Sequence, residues 1–362
     1  MNILILRGNP RKNGHTQRIT DLFVEGARKG GASIDQLDLP SSNINRCSGC
    51  YTCWTITPGK CIFDDDMPSI LERMYAADIL VCATPLYYYS MSSAMKTFFE
   101  RTLPVTRHGF EITERRLVRN KVRFPQQWDH KKLVTIITGA FKKMDNFNPL
   151  KKTFELIADG MSMHLAGQLI RPESYLLQFA LAKPKTVKTV ENAFIQAGNE
   201  IARNGSISEP TIQNVSIPLA IDMFHFQKYS NIFWEHAFEL GKDAADMAKL
   251  QEHVTGDVRI LMHEMARSID SVATSKLKAV LQFDFPDKDL HFAISVNRGS
   301  CTLEETEKEN PDLQVICPTD VWARAFMRQI SMKDALLNRS IQLKGDKSLF
   351  SRLERFFPPP VS

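Results

Sequence analysis

The chain has 362 residues, which is more than one ordinary domain needs and enough for two. Hydrophobic residues make up 43% and charged residues 24%, a composition typical of globular proteins with buried cores. No run of about eighteen apolar residues occurs, which excludes a transmembrane helix, and a net charge of +5 is too small to indicate a nucleic-acid partner. The first residues lack the basic start and small-residue cleavage site of a signal peptide, so we expect a cytoplasmic protein.

Short apolar runs alternate with helical patterns up to residue 205. The apolar runs are 1–6, 32–39, 79–83, 133–137 and 165–170, and the helical patterns are 16–30, 66–76, 92–103, 149–163 and 186–203. Near-continuous apolar strands that alternate with helices indicate a parallel sheet covered on both faces. We therefore predict an α/β domain over residues 1–205 with a doubly wound, parallel, five-stranded sheet.

The pattern changes beyond residue 205. Residues 206–255 contain one strand-like piece, an apolar and aromatic stretch and a helical stretch, and we predict a connector that serves as a lid or an oligomer surface. Residues 256–362 read as a separate α+β domain. Its predicted helices are 258–272, 319–329 and 346–357, and its predicted strands are 277–285, 290–297, 312–317 and 341–344.

The segment after the first strand predicts a phosphate site. It reads Gly8-Asn9-Pro10-Arg11-Lys12-Asn13-Gly14-His15-Thr16 and opens a helix, where free backbone N–H groups and the positive end of the dipole favour an anion. Arg11 offers a fork of donors, and Asn9, Asn13 and Thr16 add side-chain donors. The alternative is a solvated turn in which Thr16 caps the helix.

This loop resembles the FMN phosphate loop of the NADPH-dependent FMN reductase and iron–sulfur flavoprotein group. The segment from Thr84 to Ser92 resembles the second flavin loop of that group, and Thr138-Gly139-Ala140 resembles the third. The resemblance implies a flavodoxin-like fold, bound FMN and NAD(P)H as the electron donor. The cofactor-binding residues that it implies are Asn9, Arg11, Asn13, Gly14, Thr16, Pro85, Leu86, Tyr87, Tyr88, Thr138, Gly139 and Ala140.

Loops that follow strands one, three and four share one edge of a doubly wound sheet. We expect the backbone N–H groups of Tyr87, Tyr88, Gly139 and Ala140 to bind the polar edge of the flavin ring. Tyr88 is the candidate catalytic side chain. The alternative for the tyrosine triplet 87–89 is ordinary packing or a dimer surface, and Lys96 and Arg101 are expected to be scaffold residues.

Four of the seven cysteines crowd into one segment: Cys47, Cys50, Cys53 and Cys61. Their spacing matches the compact motif of iron–sulfur flavoproteins and implies a [4Fe-4S] cluster, with cluster-free thiols or a zinc ion as alternatives. Arg46 and Lys60 are expected to offset part of the cluster's negative charge. The run 64–66, three aspartates, is expected to cap and charge the start of a helix instead of binding metal.

Five basic residues fall between the third helix and the fourth strand: Arg115, Arg116, Arg119, Lys121 and Arg123. We expect a solvated helix face, with a clamp for the 2′-phosphate of NADPH or an acidic partner as the alternative.

The region 276–357 resembles the sterol carrier protein type 2 domain. The resemblance rests on the order of Leu281–Phe285, Leu290–Asn297, Asn310–Val315, Thr319–Trp322 and Ile341–Asp346. It implies an apolar tunnel for a sterol or acyl chain. A solid core has the same sequence pattern and is the alternative.

The sequence thus predicts an FMN-dependent NAD(P)H oxidoreductase that reduces an apolar or quinone-like substrate presented by the C-terminal domain. We also expect a homodimer or higher oligomer, because flavins at a sheet edge often use a wall from a second subunit. Two alternatives stay open at this point. One is an electron carrier that serves a protein partner, and the other is a lipid-binding protein with a redox-sensing flavodoxin-like half.

Overall fold

The computed structural model describes residues 1–113, 116–178, 184–219, 223–241, 256–327 and 329–358. The chain divides into two compact units, one of residues 1–178 with 182–223 and one of residues 179–181 with 224–362. Part of the predicted connector, residues 242–255, lies outside the described residues.

The first unit alternates strands and helices as the sequence predicts. Its strands are β1 (Asn2–Arg7), β2 (Ser33–Asp38), β3 (Ile79–Pro85), β4 (Thr106–Ile112), β5 (Val118–Val122), β6 (Lys132–Thr138) and β7 (His164–Arg171). Its helices are α1 (His15–Lys29), α2 (Met67–Ala76), α3 (Ser93–Glu100), α4 (Asn148–Gly160), α5 (Pro184–Asn204) and α6 (Glu209–Val215).

Five of these strands form a parallel sheet in the order β2-β1-β3-β6-β7. Among the sheet strands alone this is the order 2-1-3-4-5, the flavodoxin-like arrangement that the sequence predicts. Because every neighbouring pair is parallel, the carboxyl ends of β1, β3 and β6 meet at one edge of the sheet. This edge receives the loops with the predicted site residues.

Both faces of the sheet are covered. Leu4 and Leu6 of β1 share a buried core with α2, α3 and α4, and the alternate residues Ile3 and Ile5 are buried on the other face. Helices α1 and α5 pack so closely that a Cβ added at Gly26 would overlap the carbonyl oxygen of Ile195. Glycine at this position therefore allows the two backbones to touch.

The segment with the five basic residues between α3 and β6 forms part of a β-hairpin. The prediction that these residues lie on a solvated helix face is therefore wrong. Strands β4 and β5 pair antiparallel, with Glu111 opposite Arg119. Alternate residues of one face, Phe110, Ile112 and Val118, are exposed. Apolar and polar residues alternate with a period of two in these strands, as expected for a strand with one exposed face. The many basic residues make this alternation hard to recognise in the sequence. Arg115 lies outside the described residues.

The strand-like piece predicted after residue 205 is also wrong, because helix α6 covers Glu209–Val215. Ser208 stands at its N-cap, and Pro210 occupies its first turn, where proline is tolerated. The next helix, α7 (Met223–Glu239), belongs to the second unit.

The second unit is the α+β region that the sequence predicts. Its remaining helices are α8 (Val258–Arg267), α9 (Thr319–Phe326), α10 (Met332–Leu337), α11 (Lys347–Phe350) and α12 (Leu353–Phe356). Its strands are β8 (Lys278–Phe285), β9 (Leu290–Asn297), β10 (Ser300–Glu304), β11 (Leu313–Ile316) and β12 (Gln342–Gly345), in the sheet order β10-β9-β8-β11-β12. Only the β8–β11 pair is parallel.

None of the described helices combines the length and the apolar character that crossing a bilayer requires.

Candidate functional site

The three predicted flavin loops lie together at the carboxyl edge of the sheet. The backbone N–H of Gly8 donates to the carbonyl of Ala83 over 2.8 Å, and that of Leu86 donates to the carbonyl of Thr138 over 2.7 Å. The buried hydroxyl oxygens of Thr16 and Thr138 are 2.6 Å apart. These bonds connect all three loops, so their residues form one continuous site.

The first loop leaves the start of α1 open to an anion. Gly14 stands at the N-cap and has no side chain to accept a hydrogen bond. Among the described residues, no acceptor reaches the backbone N–H groups of His15, Thr16 or Gln17. Thr16 bonds to Thr138 and does not cap the helix, in contrast to the turn considered from the sequence. Such an uncapped helix start fits a phosphate.

The side chains of this first loop have different roles. Asn9 is buried and uses its amide N–H groups within the loop, donating to the carbonyl of Arg11 (2.9 Å) and to Gln17 (3.4 Å). Asn9 therefore shapes the loop, and the donors left for a phosphate are those of the backbone, of Arg11 and of Asn13. The side chains of Arg11 and Asn13 are both exposed.

His15, the first residue of α1, is held neutral in this site. Burial and the positive charges of Arg11 and Arg18 together lower its pKa to about 4. Its Nδ1 atom is buried without a hydrogen-bond partner among the described residues. The two arginines that contribute to this shift belong to the predicted phosphate loop and its helix, where an anion would offset their positive charges.

The second loop is a tight turn in a strained conformation. Tyr87 and Ser90 exchange two backbone hydrogen bonds of 2.9 Å, and between them Tyr88 and Tyr89 have φ angles of 46° and 60°. Positive φ costs a residue other than glycine about 1–2 kcal/mol. The turn presents the side chain of Tyr88 entirely to solvent, at 99% exposure. Strain of this kind is common at functional sites.

The third loop is held by backbone hydrogen bonds to the end of β7 and the residues that follow it. The N–H of Gly139 donates to Arg171 (3.1 Å), and the N–H groups of Ser174 and Glu173 donate to Gly139 (3.0 Å) and Phe141 (3.1 Å). The buried carboxylate of Glu173 also pairs with Lys142 at 3.0 Å. The ring of Phe141 stacks on that of Tyr89, with centroids 5.7 Å apart, so the second and third loops also meet through their side chains.

These bonds decide which backbone donors remain for a ring. Four were expected from the sequence, but the N–H of Tyr87 is bonded to Ser90 and that of Gly139 to Arg171. The N–H groups of Tyr88 and Ala140 have no acceptor among the described residues. The hydroxyl of Tyr88 likewise has no partner there that would make it an acid or base, so its predicted catalytic role stays a prediction.

The four clustered cysteines line one pocket in the first unit. The other lining residues are Ser48, Tyr51, Ile62, Phe63, Glu100, Arg101, Leu103 and Pro104. Burial raises the pKa of the Cys53 thiol, and the charges of Cys61, Cys50 and Cys47 raise it further. Hydrogen bonds from Thr52 and Ser48 lower the pKa of the exposed Cys50. Cys53 is therefore the thiol on which the negative charges of the other three act.

A buried ion pair holds together the two ends of the cysteine loop, the segment 45–65 that contains the four clustered cysteines. Arg101 of the segment after α3 binds Asp65 through two bonds, Nη1 to Oδ2 at 2.6 Å and Nη2 to Oδ1 at 3.0 Å. Their side chains are 1% and 0% exposed. The same carboxylate accepts from the N–H groups of Asn45 (3.0 Å) and Met67 (3.1 Å). Arg101 also donates to the carbonyl of Asn45 over 2.7 Å, so both ends of the loop are held at one point.

The aspartates before α2 were expected to cap the start of the helix, and only Asp65 of the run 64–66 does so. Asp66 is at the N-cap but its side chain does not cap, and its carboxylate accepts from the N–H of Asn43 at 2.7 Å. Asp65 supplies the bond to Met67 instead. Burial would raise the pKa of Asp65, but Arg101 and these N–H groups hold it down at about 2.

The middle of the loop is held to the body of the first unit as well. The indole N–H of Trp54 donates to the carbonyl of Leu103 at 3.0 Å, and Arg123 donates to the carbonyl of Cys53 at 3.3 Å. Arg46 and Lys60, which the sequence suggested as charge partners of the cysteines, are exposed and do not line the pocket. Arg101, expected to be scaffold only, lines it.

In the part of the chain that the structure describes, no three histidine, cysteine or carboxylate side chains converge on a point that would hold a single metal ion. A tetrahedral zinc site requires four sulfur atoms at about 2.3 Å from one ion. In a four-iron cluster each thiolate binds a different iron atom, so the sulfur atoms stay apart around a larger pocket. The four cysteines that line one pocket supply the sulfur ligands that a cluster of this kind requires.

The family model described as NADPH-dependent FMN reductase matches residues 1–143. An iron–sulfur flavoprotein of Archaeoglobus fulgidus is 33% identical over 97 residues, which cover 27% of this chain and 43% of that protein. One of Methanosarcina thermophila is 30% identical over 112 residues, covering 31% and 58%. A protein of Bacillus subtilis, named as an NAD(P)H-dependent FMN-containing oxidoreductase, is 26% identical over 174 residues, covering 47% and 84%. The chain spans about half the length of the two iron–sulfur flavoproteins.

A second family model, described as alkyl sulfatase C-terminal, matches residues 255–360. The N-terminal resemblance to FMN reductases and iron–sulfur flavoproteins is thus confirmed. For the C-terminal unit, the model that matches is the alkyl sulfatase one, and the resemblance to the sterol carrier protein type 2 domain stays a prediction.

The low pKa of His15 predicts a pH dependence of stability. In the unfolded chain His15 has its ordinary pKa of 6.5, whereas in the folded protein its pKa is about 4. Between these two pH values the unfolded chain therefore binds a proton that the folded protein does not bind. Stability is therefore lost as the pH falls through this window, by about 2 kcal/mol at about pH 5. Urea unfolding at about pH 7 and at about pH 5 measures this loss in the free energy of unfolding. We expect the loss in His15→Gln to be about 2 kcal/mol smaller than in wild type.

The same substitution at the exposed His108 serves as the control and should leave the wild-type pH dependence in place. Equal pH dependence in His15→Gln and wild type would contradict the assignment of a neutral, buried His15.

Proposed function

We propose that the protein is an FMN-dependent oxidoreductase that takes electrons from NAD(P)H. The observation that carries the proposal is the single edge at which an uncapped helix start and two unbonded backbone N–H groups, those of Tyr88 and Ala140, lie on connected loops. The match of residues 1–143 to the FMN reductase family supports it. So does the relative from B. subtilis, which is named for FMN and NAD(P)H.

In this proposal each loop binds one part of the cofactor. The start of α1 and Arg11 hold the phosphate, while Tyr88 and Ala140 donate to the polar edge of the ring. Bound FMN supplies a ring that accepts hydride from the nicotinamide and passes electrons onward. The chain's own contribution is to bind, orient and shield the ring. The fixed third loop and the Tyr89–Phe141 stack support this role, because rigid donors position a ring precisely.

Replacing Arg11 tests the phosphate site. Charge-assisted hydrogen bonds contribute about 1.5–3 kcal/mol, so Arg11→Ala should weaken FMN binding by roughly 10–100-fold. The measurement is flavin fluorescence titration of protein stripped of flavin. Lys29→Ala, at the opposite end of α1 and in a surface pair with Glu25, should bind FMN as wild type does. Equal affinities for Arg11→Ala and wild type would remove the phosphate assignment.

We infer that the four cysteines hold a [4Fe-4S] cluster beside the flavin. Support comes from their shared pocket, from spacing typical of such clusters and from relatives named as iron–sulfur flavoproteins. The thiol sulfurs of Cys47, Cys50, Cys53 and Cys61 would be the ligands. Iron and acid-labile sulfide in anaerobically purified protein test this, and their absence would leave a flavoprotein with free thiols.

The substrate we propose is apolar or quinone-like, with its apolar part held by the second unit. A cavity there is lined by Met265, Trp322, Ala325, Phe326, Met332, Leu353, Glu354 and Phe357. Most of these side chains are apolar, and the buried indole Nε1 of Trp322 has no partner among the described residues. This mostly apolar lining supports contact with the apolar part of a substrate, such as the sterol or acyl chain suggested by the sequence.

Filling this cavity tests the role of the second unit. Ala325→Leu should raise the KM for a quinone with a long isoprenoid tail about tenfold, equivalent to about 1.4 kcal/mol, and leave the KM for a tail-free quinone unchanged. Steady-state kinetics with both quinones measure the difference. Ser275→Leu, an exposed site outside the cavity, is the control. Equal effects on both quinones would show that the cavity does not hold the tail.

A second candidate function is electron transfer to a protein partner. The observation that favours it is the exposed surface of the cysteine loop, where Cys50, Tyr51, Ile56 and Ile62 are accessible. Apolar side chains around an exposed redox group are typical of sites that dock proteins. Reduced protein that is reoxidised by no quinone, but rapidly by a protein electron acceptor, would favour this candidate.

A further inference from the structure

The pocket of the four cysteines contains one buried cation whose hydrogen bonds are incomplete. Arg101 is the only lysine or arginine among the residues that line the pocket in the described structure. The pocket's other charged lining residue apart from the thiols is Glu100, which pairs with Lys96 at 2.5 Å. Among the lining residues, the positive charge next to the thiols therefore comes from Arg101.

One of the three guanidinium nitrogen atoms of Arg101, Nε, has no hydrogen-bond acceptor among the described residues. Nη1 donates to Asp65 and to the carbonyl of Asn45, and Nη2 donates to Asp65. Nε is buried and has no partner among the described residues. A buried donor without an acceptor costs about 1–3 kcal/mol, so such groups normally have a partner.

The pocket offers anionic sulfur as that partner. We propose that Arg101 is a positioning residue for the cluster, in which its Nε–H donates to a cluster-bound sulfur and its charge favours the reduced form. The inference rests on the proposed function, since it presumes the cluster. One-electron reduction by FMN, itself reduced by NAD(P)H, adds one negative charge to a site that four thiolates already make negative. A buried guanidinium stabilises that added charge more than a solvated one would.

The ion pair with Asp65 makes this role compatible with folding. The carboxylate pairs with Arg101 and holds its guanidinium in one orientation through two bonds to the Nη atoms, so Nε takes no part in the pair. Asp65 itself does not line the pocket. The pair therefore presents its positive member to the thiols and keeps its negative member behind.

The test is a redox titration of the anaerobically purified protein, followed by electron paramagnetic resonance of the reduced cluster. The main variant is the double substitution Asp65→Asn with Arg101→Gln, which removes both charges and leaves no unpaired buried ion. We expect its reduction equilibrium to be at least about tenfold less favourable, a midpoint lower by about 59 mV for one electron. Asp65→Asn with Arg101→Lys, which keeps a positive charge, should recover part of the difference.

The matched control is Arg73→Gln, which breaks a two-bond arginine–aspartate pair with Asp35 away from the pocket. It should have the wild-type potential, and FMN content reports folding in every variant. A double variant that retains the cluster at the wild-type potential would overturn the role of Arg101 and leave the proposed function intact. Wild-type protein without iron and sulfide would overturn the inference together with the cluster proposal, while FMN reduction by NADPH would still stand.

Discussion

The buried pair between Asp65 and Arg101 is the constraint on which the cysteine loop depends. The carboxylate gathers the guanidinium, the start of α2 and the backbone of Asn45 at one point, so the loop leaves and returns to the sheet edge at a fixed place. Removing one partner of such a pair typically costs about 3–5 kcal/mol, because the other charge is left buried and unpaired. Backbone bonds within the loop, such as that from the N–H of Gly59 to the carbonyl of Cys53 at 2.9 Å, fix its local turns. Trp54 and Arg123 add two bonds to its middle.

At the sheet edge where the three loops meet, most backbone groups of the loops are likewise bonded within the protein. Thr16 and Thr138 connect the first and third loops, and Glu173 with Arg171 fixes the third loop from the end of β7. The strained turn at Tyr88 and Tyr89 then leaves the N–H of Tyr88 without a partner in the described structure. Its cost is offset by the two bonds between Tyr87 and Ser90 and by the stack of Tyr89 on Phe141.

Much of this architecture could be predicted from the sequence, because it follows from local patterns. The alternation of apolar runs and helices gave the five strands and their sheet, and cysteine spacing located the loop. Bonds between distant residues could not be predicted: Asp65 and Arg101 are 36 positions apart, and nothing local distinguishes them from surface charges. The same limit explains why Tyr87 and Gly139 were expected to bind the ring although their N–H groups are used in the protein. In the second unit, the order of elements predicted the α+β class, while its resemblance to sterol carrier domains rests on few residues and stays a prediction.

We propose that one sheet edge holds FMN that NAD(P)H reduces, beside a cysteine pocket with a cluster. The most direct measurement is the visible spectrum of the anaerobically purified protein before and after addition of NADPH. The account predicts flavin absorbance over a broad iron–sulfur background, with the flavin bands bleached by NADPH. A colourless protein that takes up neither FMN nor iron with sulfide would contradict it.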